Sequence, residues 1–273
     1  MIYKAVAFDM DGTLLNNQRL ILPETVSVLN QLKQMGIKVI LVTGRHHSMI
    51  YPYYHQLQLA TPAICCNGSY LYDFNKCIAF DANPLTKIQA KTLLNLVNEY
   101  NIHTLIYTDQ YITYEVLDDH LEGIFEWIDT LPTQLKPEFV KVNSFQDVIN
   151  DAKEVFKFAT SSHDIPALKA FSTAVEAQGD FECEWSWVNR ADVAAKGNSK
   201  GKGLANWANY EGIPLEQIIA FGDNYNDLSM LKMAGLGIAM GNADEEIKQQ
   251  VDRVIGDNNT PTIAEELTRL FLK

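Results

Sequence analysis

No apolar run in the 273-residue chain approaches the roughly 20 residues that cross a bilayer. The amino terminus, with a single early Lys4 before the short run Ala5 to Phe8, has no signal-peptide layout. A cytoplasmic protein with no membrane partner is expected. Basic residues are scarce too: 22 Lys and Arg against 34 Asp and Glu leave a formal net charge of −12. Such a balance repels phosphate backbones and anionic lipid, so a nucleic-acid partner is not expected either. Four cysteines (Cys65, Cys66, Cys77, Cys183) are too few for a disulfide framework, and no CxxC spacing marks a zinc site. Reduced thiols in the core are the expectation. Internal repeats and low-complexity tracts are missing as well. What remains, 47% hydrophobic and 21% charged, suits a globular chain with a substantial core.

The apolar residues fall in short runs of strand length that stop at small or polar residues. Tyr3 to Phe8 stops at Asp9, Ile37 to Val42 at Thr43-Gly44-Arg45, Ala63 to Cys66 at Asn67-Gly68, and Ile218 to Phe221 at Gly222-Asp223-Asn224. Runs apolar on both faces suit parallel strands covered by helices. Between the first two lies a helical pattern with Pro23 near its start, Val26, Leu29 and Leu32 on one face, and Gly36 at its end. After Gly222, helices near 225–234, 244–251 and 262–272 alternate with strands near 236–240 and 253–255. This alternation predicts an α/β fold with a doubly wound, mainly parallel sheet, in which ligands sit beyond the carboxyl ends of the strands. Asp9, Thr43, Asn67 and Asp223 would all lie there.

The middle third has another texture. Tyr70 to Asp73 and Cys77 to Asp81 read as a hairpin. From Pro84 to Ala194 the order is helix, two strands, helix, strand, helix, strand, helix and a closing strand pair, with apolar and polar residues alternating along the strands. An inserted α+β domain at 84–194, within a core formed by 1–83 and 195–273, is expected.

Phe8-Asp9-Met10-Asp11-Gly12-Thr13 follows the first strand directly. Two carboxylates two residues apart can share one space if the backbone turns, which Gly12 permits. They repel unless a cation lies between them, and a hard ion such as Mg²⁺ suits a site of few carboxylates, waters and a phosphate oxygen. The same residues also read as a solvated turn. Gly197-Asn198-Ser199-Lys200-Gly201-Lys202-Gly203 has the look of a phosphate loop, but it is not G-x-x-x-x-G-K-[ST], which excludes a P-loop kinase. His46 and His47 stand at a predicted helix start, where a solvated or capping role is expected; the other histidines lack metal-ligand spacing. Trp185 and Trp187 fall on one face of a predicted strand, the pattern of core packing.

Taken in order, Asp9-Met10-Asp11-Gly12-Thr13, Thr43-Gly44-Arg45, Lys200 in Ser199-Lys200-Gly201, and Gly222-Asp223-Asn224-Tyr225-Asn226-Asp227 match the four motifs of the haloacid dehalogenase superfamily. Over about 1–83 and 195–273 the chain resembles the Cof-type branch of that family, whose Rossmann-like core carries a large inserted cap. The resemblance implies a phosphoric monoester hydrolase acting on a small-molecule phosphate ester. It makes Asp9 the nucleophile, Asp11 the acid and base, and Asp9, the Asp11 backbone carbonyl and Asp223 the Mg²⁺ ligands. It assigns Thr43, Lys200, Asn226 and the amides of Met10 and Gly44 to the phosphoryl group, and has Asp227 orient its neighbours. The leaving group would be chosen by the cap. Segments 43–47, 63–68, 182–187 and 197–202 resemble members of the branch acting on pyridoxal 5′-phosphate, with sugar phosphates as further substrates. Phosphoryl transfer to a sugar hydroxyl and a non-catalytic phospholigand-binding module are the alternatives. The sequence carries no signal of oligomeric state.

Overall fold

A computed structural model describes residues 2–272. The chain divides into two compact units: residues up to 44, 53–81 and from 199 onward form one, and residues 45–52 and 82–198 the other. Segment 45–52, placed in the core by the sequence reading, thus clusters with the second unit.

The first unit opens with β1 (Ala5–Phe8), α1 (Pro23–Gln34) and β2 (Lys38–Leu41). All four β1 residues are buried, and β1 runs parallel to β2 with Phe8 opposite Leu41. Pro23 sits in the first turn of α1, where its missing N–H removes no helical bond. Val28, Leu29 and Leu32 form the buried stripe of that helix. Next comes α2 (His47–Gln56), shared between the two units, then the antiparallel strands β3 (Ala63–Cys65), β4 (Tyr70–Asp73) and β5 (Ile78–Phe80). Residues 63–66 meet the end of β2 in parallel, as expected, through the Val42–Ile64 bridge, and the chain then reverses at 66–68 so that β3 also pairs antiparallel with β4.

The second unit contains α3 (Lys87–Glu99), β6 (His103–Thr108), β7 (Ile112–Tyr114), α4 (Asp119–Asp129), β8 (Phe139–Lys141), α5 (Phe145–Asp151), β9 (Val155–Ser161), α6 (Ile165–Ala177), β10 (Phe181–Trp187) and β11 (Arg190–Ala195). Its sheet order is β10-β11-β9-β6-β7-β8, antiparallel except for β7 with β8. Ile106, Phe158 and Val193 pack against Leu93 of α3, Ile149 of α5 and Phe171 of α6. Period-two alternation is what produces this covered face.

The chain then returns to the first unit through α7 (Lys200–Glu211), β12 (Ile218–Gly222), α8 (Leu228–Met233), β13 (Leu236–Ala239), α9 (Glu245–Lys248), β14 (Arg253–Val254) and α10 (Thr262–Phe271). The five-stranded sheet has the order β14-β13-β12-β1-β2, parallel throughout, which gives an α/β fold with a mainly parallel sheet. Ala5, Ala7, Ile40, Ile218 and Ala220 meet Leu204 and Trp207 of α7 and Met230 and Leu231 of α8. Among the described residues, no helix is long and apolar enough to cross a membrane.

Candidate active site

β1 and β12 are adjacent and parallel, so Asp9 and Asp223, each the residue after its strand, leave the sheet side by side. The chain turns at once: the Leu15 amide donates to the Met10 carbonyl at 2.9 Å. Gly12 stands in this turn at φ +83°, and a Cβ there would collide with the Asp223 carboxylate. Only glycine meets both conditions. Thr13 Oγ1 donates to Asp223 Oδ1 at 2.6 Å, and Asn242 Nδ2 donates to the Gly12 carbonyl at 2.9 Å.

Lys200 begins α7, whose amino end is capped by Ser199 accepting from the Lys202 amide. A cation at a helix amino terminus opposes the helix dipole. It is held there by two carboxylates: Lys200 Nζ lies 2.5 Å from Asp9 Oδ1 and 2.6 Å from Asp227 Oδ1. Lys200, Asp9 and Asp227 are all buried, with Asp227 at 0% exposure. The other Asp227 oxygen accepts from the amides of Asp223 (2.9 Å) and Asn224 (3.0 Å), which fixes the loop after β12. Gly201 lets α7 approach closely, since a Cβ there would meet the Ser229 backbone at 2.7 Å.

The charges do not balance within this group. One oxygen each of Asp9, Asp223 and Asp227 lies within 4.8 Å of the others, facing one lysine. Burial first, then repulsion from Asp227, holds the Asp9 carboxyl well above the usual range despite the attraction of Lys200. The same two causes push Asp223 up to about 7. For Lys200, burial works against the charge, but Asp227 and Asp9 outweigh it and raise the ammonium above its ordinary value. An excess of hard oxygen donors in one buried space suits a divalent cation. Asp227 is already engaged by Lys200 and two amides, so Asp9 and Asp223 are the carboxylates best placed to hold one. Asp11 is exposed and contributes no side-chain oxygen to the cluster.

Thr43 follows the end of β2 and is buried; its amide donates to Ile64 O and its carbonyl accepts from the Asn67 amide, both at 2.9 Å. Asn226 Nδ2 donates to Asn67 Oδ1 at 3.3 Å.

The profile of the haloacid dehalogenase-like hydrolases matches residues 6–267. The chain belongs to this family. It is 43% identical over 265 residues, 97% of each chain, to the pyridoxal phosphate phosphatase YbhA of Escherichia coli. It is 30% identical over 274 residues, again 97% of each chain, to the 5-amino-6-(5-phospho-D-ribitylamino)uracil phosphatase YitU of Bacillus subtilis. A solved haloacid dehalogenase-like hydrolase from B. subtilis is similar at a TM-score of 0.86 and 27% identity, covering 98% of this chain and 100% of its own.

In this haloacid dehalogenase-like hydrolase, the first unit gathers Asp9, Lys200 and Asp223, with Asp227 as the hub of their contacts. Three other residues at the strand ends were given no role from the sequence: Thr13, Asn67 and Asn242. The strand-end rule that marks Asp9 and Asp223 extends to Asn67 after β3 and to Asn242 after β13. His46 and His47 are not solvated, but His46 does cap: its Nδ1 accepts from the Ser48 amide at 3.3 Å at the start of α2. They are buried in the second unit, ring centroids 3.9 Å apart, where His46 Nε2 donates to the Thr108 carbonyl at 3.0 Å. Burial lowers His46 to about 4 and His47 to about 2. Trp187 is 66% exposed, because a bulge between Trp185 and Trp187 breaks the alternation that would have buried both. All four cysteines are free, but Cys77 is exposed in the β4–β5 turn at φ +52° and Cys183 is half-buried, so only Cys65 and Cys66 are core thiols.

Proposed function

We propose that this phosphatase hydrolyses small phosphomonoesters, pyridoxal 5′-phosphate first among them, through an aspartyl-phosphate on Asp9. The observation that carries the reading is the buried Asp9–Lys200–Asp227 group beside Asp223. Lys200 fixes one Asp9 oxygen and leaves the other free to attack phosphorus in line; the phosphorus–oxygen bond to the leaving alcohol breaks as the new one forms. Asp11, exposed at the turn, protonates the departing oxygen and then takes a proton from the water that attacks phosphorus, breaking the aspartyl-phosphate bond to release inorganic phosphate and Asp9. Lys200, Thr43, Asn226 and the amides of Met10 and Gly44 hold the phosphoryl oxygens. Asp9, Asp223 and the Asp11 carbonyl would hold Mg²⁺, whose charge offsets the repulsion between a carboxylate and a phosphate dianion. Phosphoryl chemistry in 1–83 and 195–273, with leaving-group choice in 84–194, belongs to the same proposal. The choice of pyridoxal 5′-phosphate is supported by 43% identity along nearly the whole length of a pyridoxal phosphate phosphatase.

Phosphate release is the test. Activity on p-nitrophenyl phosphate should vanish with EDTA, return with Mg²⁺, and be absent from Asp9→Asn; turnover that survives either change refutes the mechanism. A panel including pyridoxal 5′-phosphate, 5-amino-6-(5-phospho-D-ribitylamino)uracil and hexose phosphates should rank the first highest by kcat/KM.

A further inference from the structure

Cys66, Asn67 and Gly68 are three successive residues with left-handed backbone, at φ +49°, +54° and +84°. Left-handed conformation is strained for a non-glycine residue, and such strain persists only where the surroundings impose it. They do so on both sides. The Asn67 amide is tied to the Thr43 carbonyl at 2.9 Å. Gly68 presses on the amino end of α7, where a Cβ would collide with the Ser199 carbonyl, and a Cβ on Gly203 would meet Ile64 and Gly68 in turn. The strained turn is therefore wedged between the loop carrying Thr43 and the helix start carrying Lys200.

What this turn presents is one side chain. Asn67 is 3% exposed, and its Oδ1 accepts from Asn226 Nδ2 at 3.3 Å. Among the described residues its Nδ2 has no hydrogen-bond acceptor but keeps contact with solvent, whereas Asn226 Oδ1 is buried without a donor. A donor held in place by a strained turn can meet a ligand oxygen without rearrangement, and the orphaned Asn226 oxygen carries a desolvation cost that a bound donor would relieve. The pair thus offers one donor and one acceptor side by side. The donor suits a bare phosphoryl oxygen, and the Asn226 oxygen suits the protonated oxygen that inorganic phosphate carries near neutral pH.

From this geometry we infer that Asn67, held in its left-handed turn, is a further binding residue for the phosphoryl group, donating from Nδ2 beside Asn226. The inference rests on the phosphomonoesterase reading above.

The experiment uses the full chain and three proteins: wild type, Asn67→Gly and Asn67→Asp. Glycine adopts the same backbone without strain and removes only the amide; aspartate tolerates the left-handed region, keeps the shape and brings negative charge. Binding of inorganic phosphate is titrated by calorimetry, and KM and kcat are measured on p-nitrophenyl phosphate, with circular dichroism and thermal melting to confirm folding. Asn67→Gly should weaken phosphate binding and raise KM by about tenfold or more, the scale of a lost hydrogen bond to a charged group. Asn67→Asp should weaken both further. Wild-type phosphate affinity and KM in a folded Asn67→Gly protein would make the turn purely structural and overturn the inference, as would wild type that binds no phosphate. If Asn67→Gly does not fold, an Asn67→Asp protein with wild-type affinity overturns it equally. Wild type that binds phosphate but has no turnover would refute the phosphomonoesterase reading, while the affinities of the variants still decide the role of Asn67.

Discussion

Lys200 is the residue on which charge in the first unit turns. It lies at a helix end that disfavours cations and in a space that disfavours ions, and two carboxylates outweigh both effects. Lys200→Met would leave Asp9 and Asp227 buried with no cation between them. Turnover is expected to fall by about 10²–10³, and unfolding free energy at neutral pH by about 3–5 kcal/mol. Urea titration beside steady-state kinetics checks both; a variant as stable as wild type would mean that the ion pairs contribute little. Asp9, Lys200 and Asp223 were legible because each follows a strand or opens a helix within a recognisable run. Asn67 was placed at the ligand end of its strand without a role and Asn242 was not marked, since Asn-Gly or Gly-Asn after a strand looks like any turn until its side-chain partners are known. The burial of His46 was hidden for a related reason: the carbonyl it bonds is 62 residues away.

At the scale of elements, the sheet of the second unit carries a buried ion pair apart from the Asp9–Lys200–Asp227 group. Lys157 on β9 meets Asp192 on β11 at 2.8 Å, with side-chain exposures of 4% and 13%, and Lys157 Nζ stands 4.5 Å from the Tyr107 ring centroid on β6. Removing one partner of such a pair strands the other charge. Lys157→Met should therefore cost about 3–5 kcal/mol, whereas Lys157→Met combined with Asp192→Leu should recover most of it. Chemical denaturation of the three proteins decides, and equal stability of the single and double variants would show that the pair is not coupled. Alternation made β6, β9 and β11 legible in the sequence, because one covered face dictates period two. The bulge at Trp187 and the antiparallel pairing of β3 with β4 were hidden, since both depend on which strand becomes the hydrogen-bond partner.

For the whole molecule, stability should depend on pH from two sides. His46 and His47 have depressed folded-state values, so the stability they contribute is present above the ordinary histidine range and is lost as pH falls from about 6.5 toward 4. Asp9 and Asp223 are raised, so the folded state binds more protons than the unfolded chain. Metal-free protein should then lose stability as pH climbs from the usual carboxylate range to about 7. Mg²⁺ should accordingly raise Tm more at about pH 8 than at about pH 5, by differential scanning fluorimetry; an equal increase at both would separate the metal from these carboxylates.

Sheet order also governs when the catalytic group can exist. β1 lies between β2 and β12, so Thr13 waits for a partner 210 residues further on and Asp9 for one 191 residues further on. On the ribosome, residues 82–198 can collapse first, while β1 stands with an open edge until β12 is made. A nascent polypeptide cut short before β12 would hold Asp9 in an unfinished sheet, without the lysine and carboxylates that surround it in the folded chain.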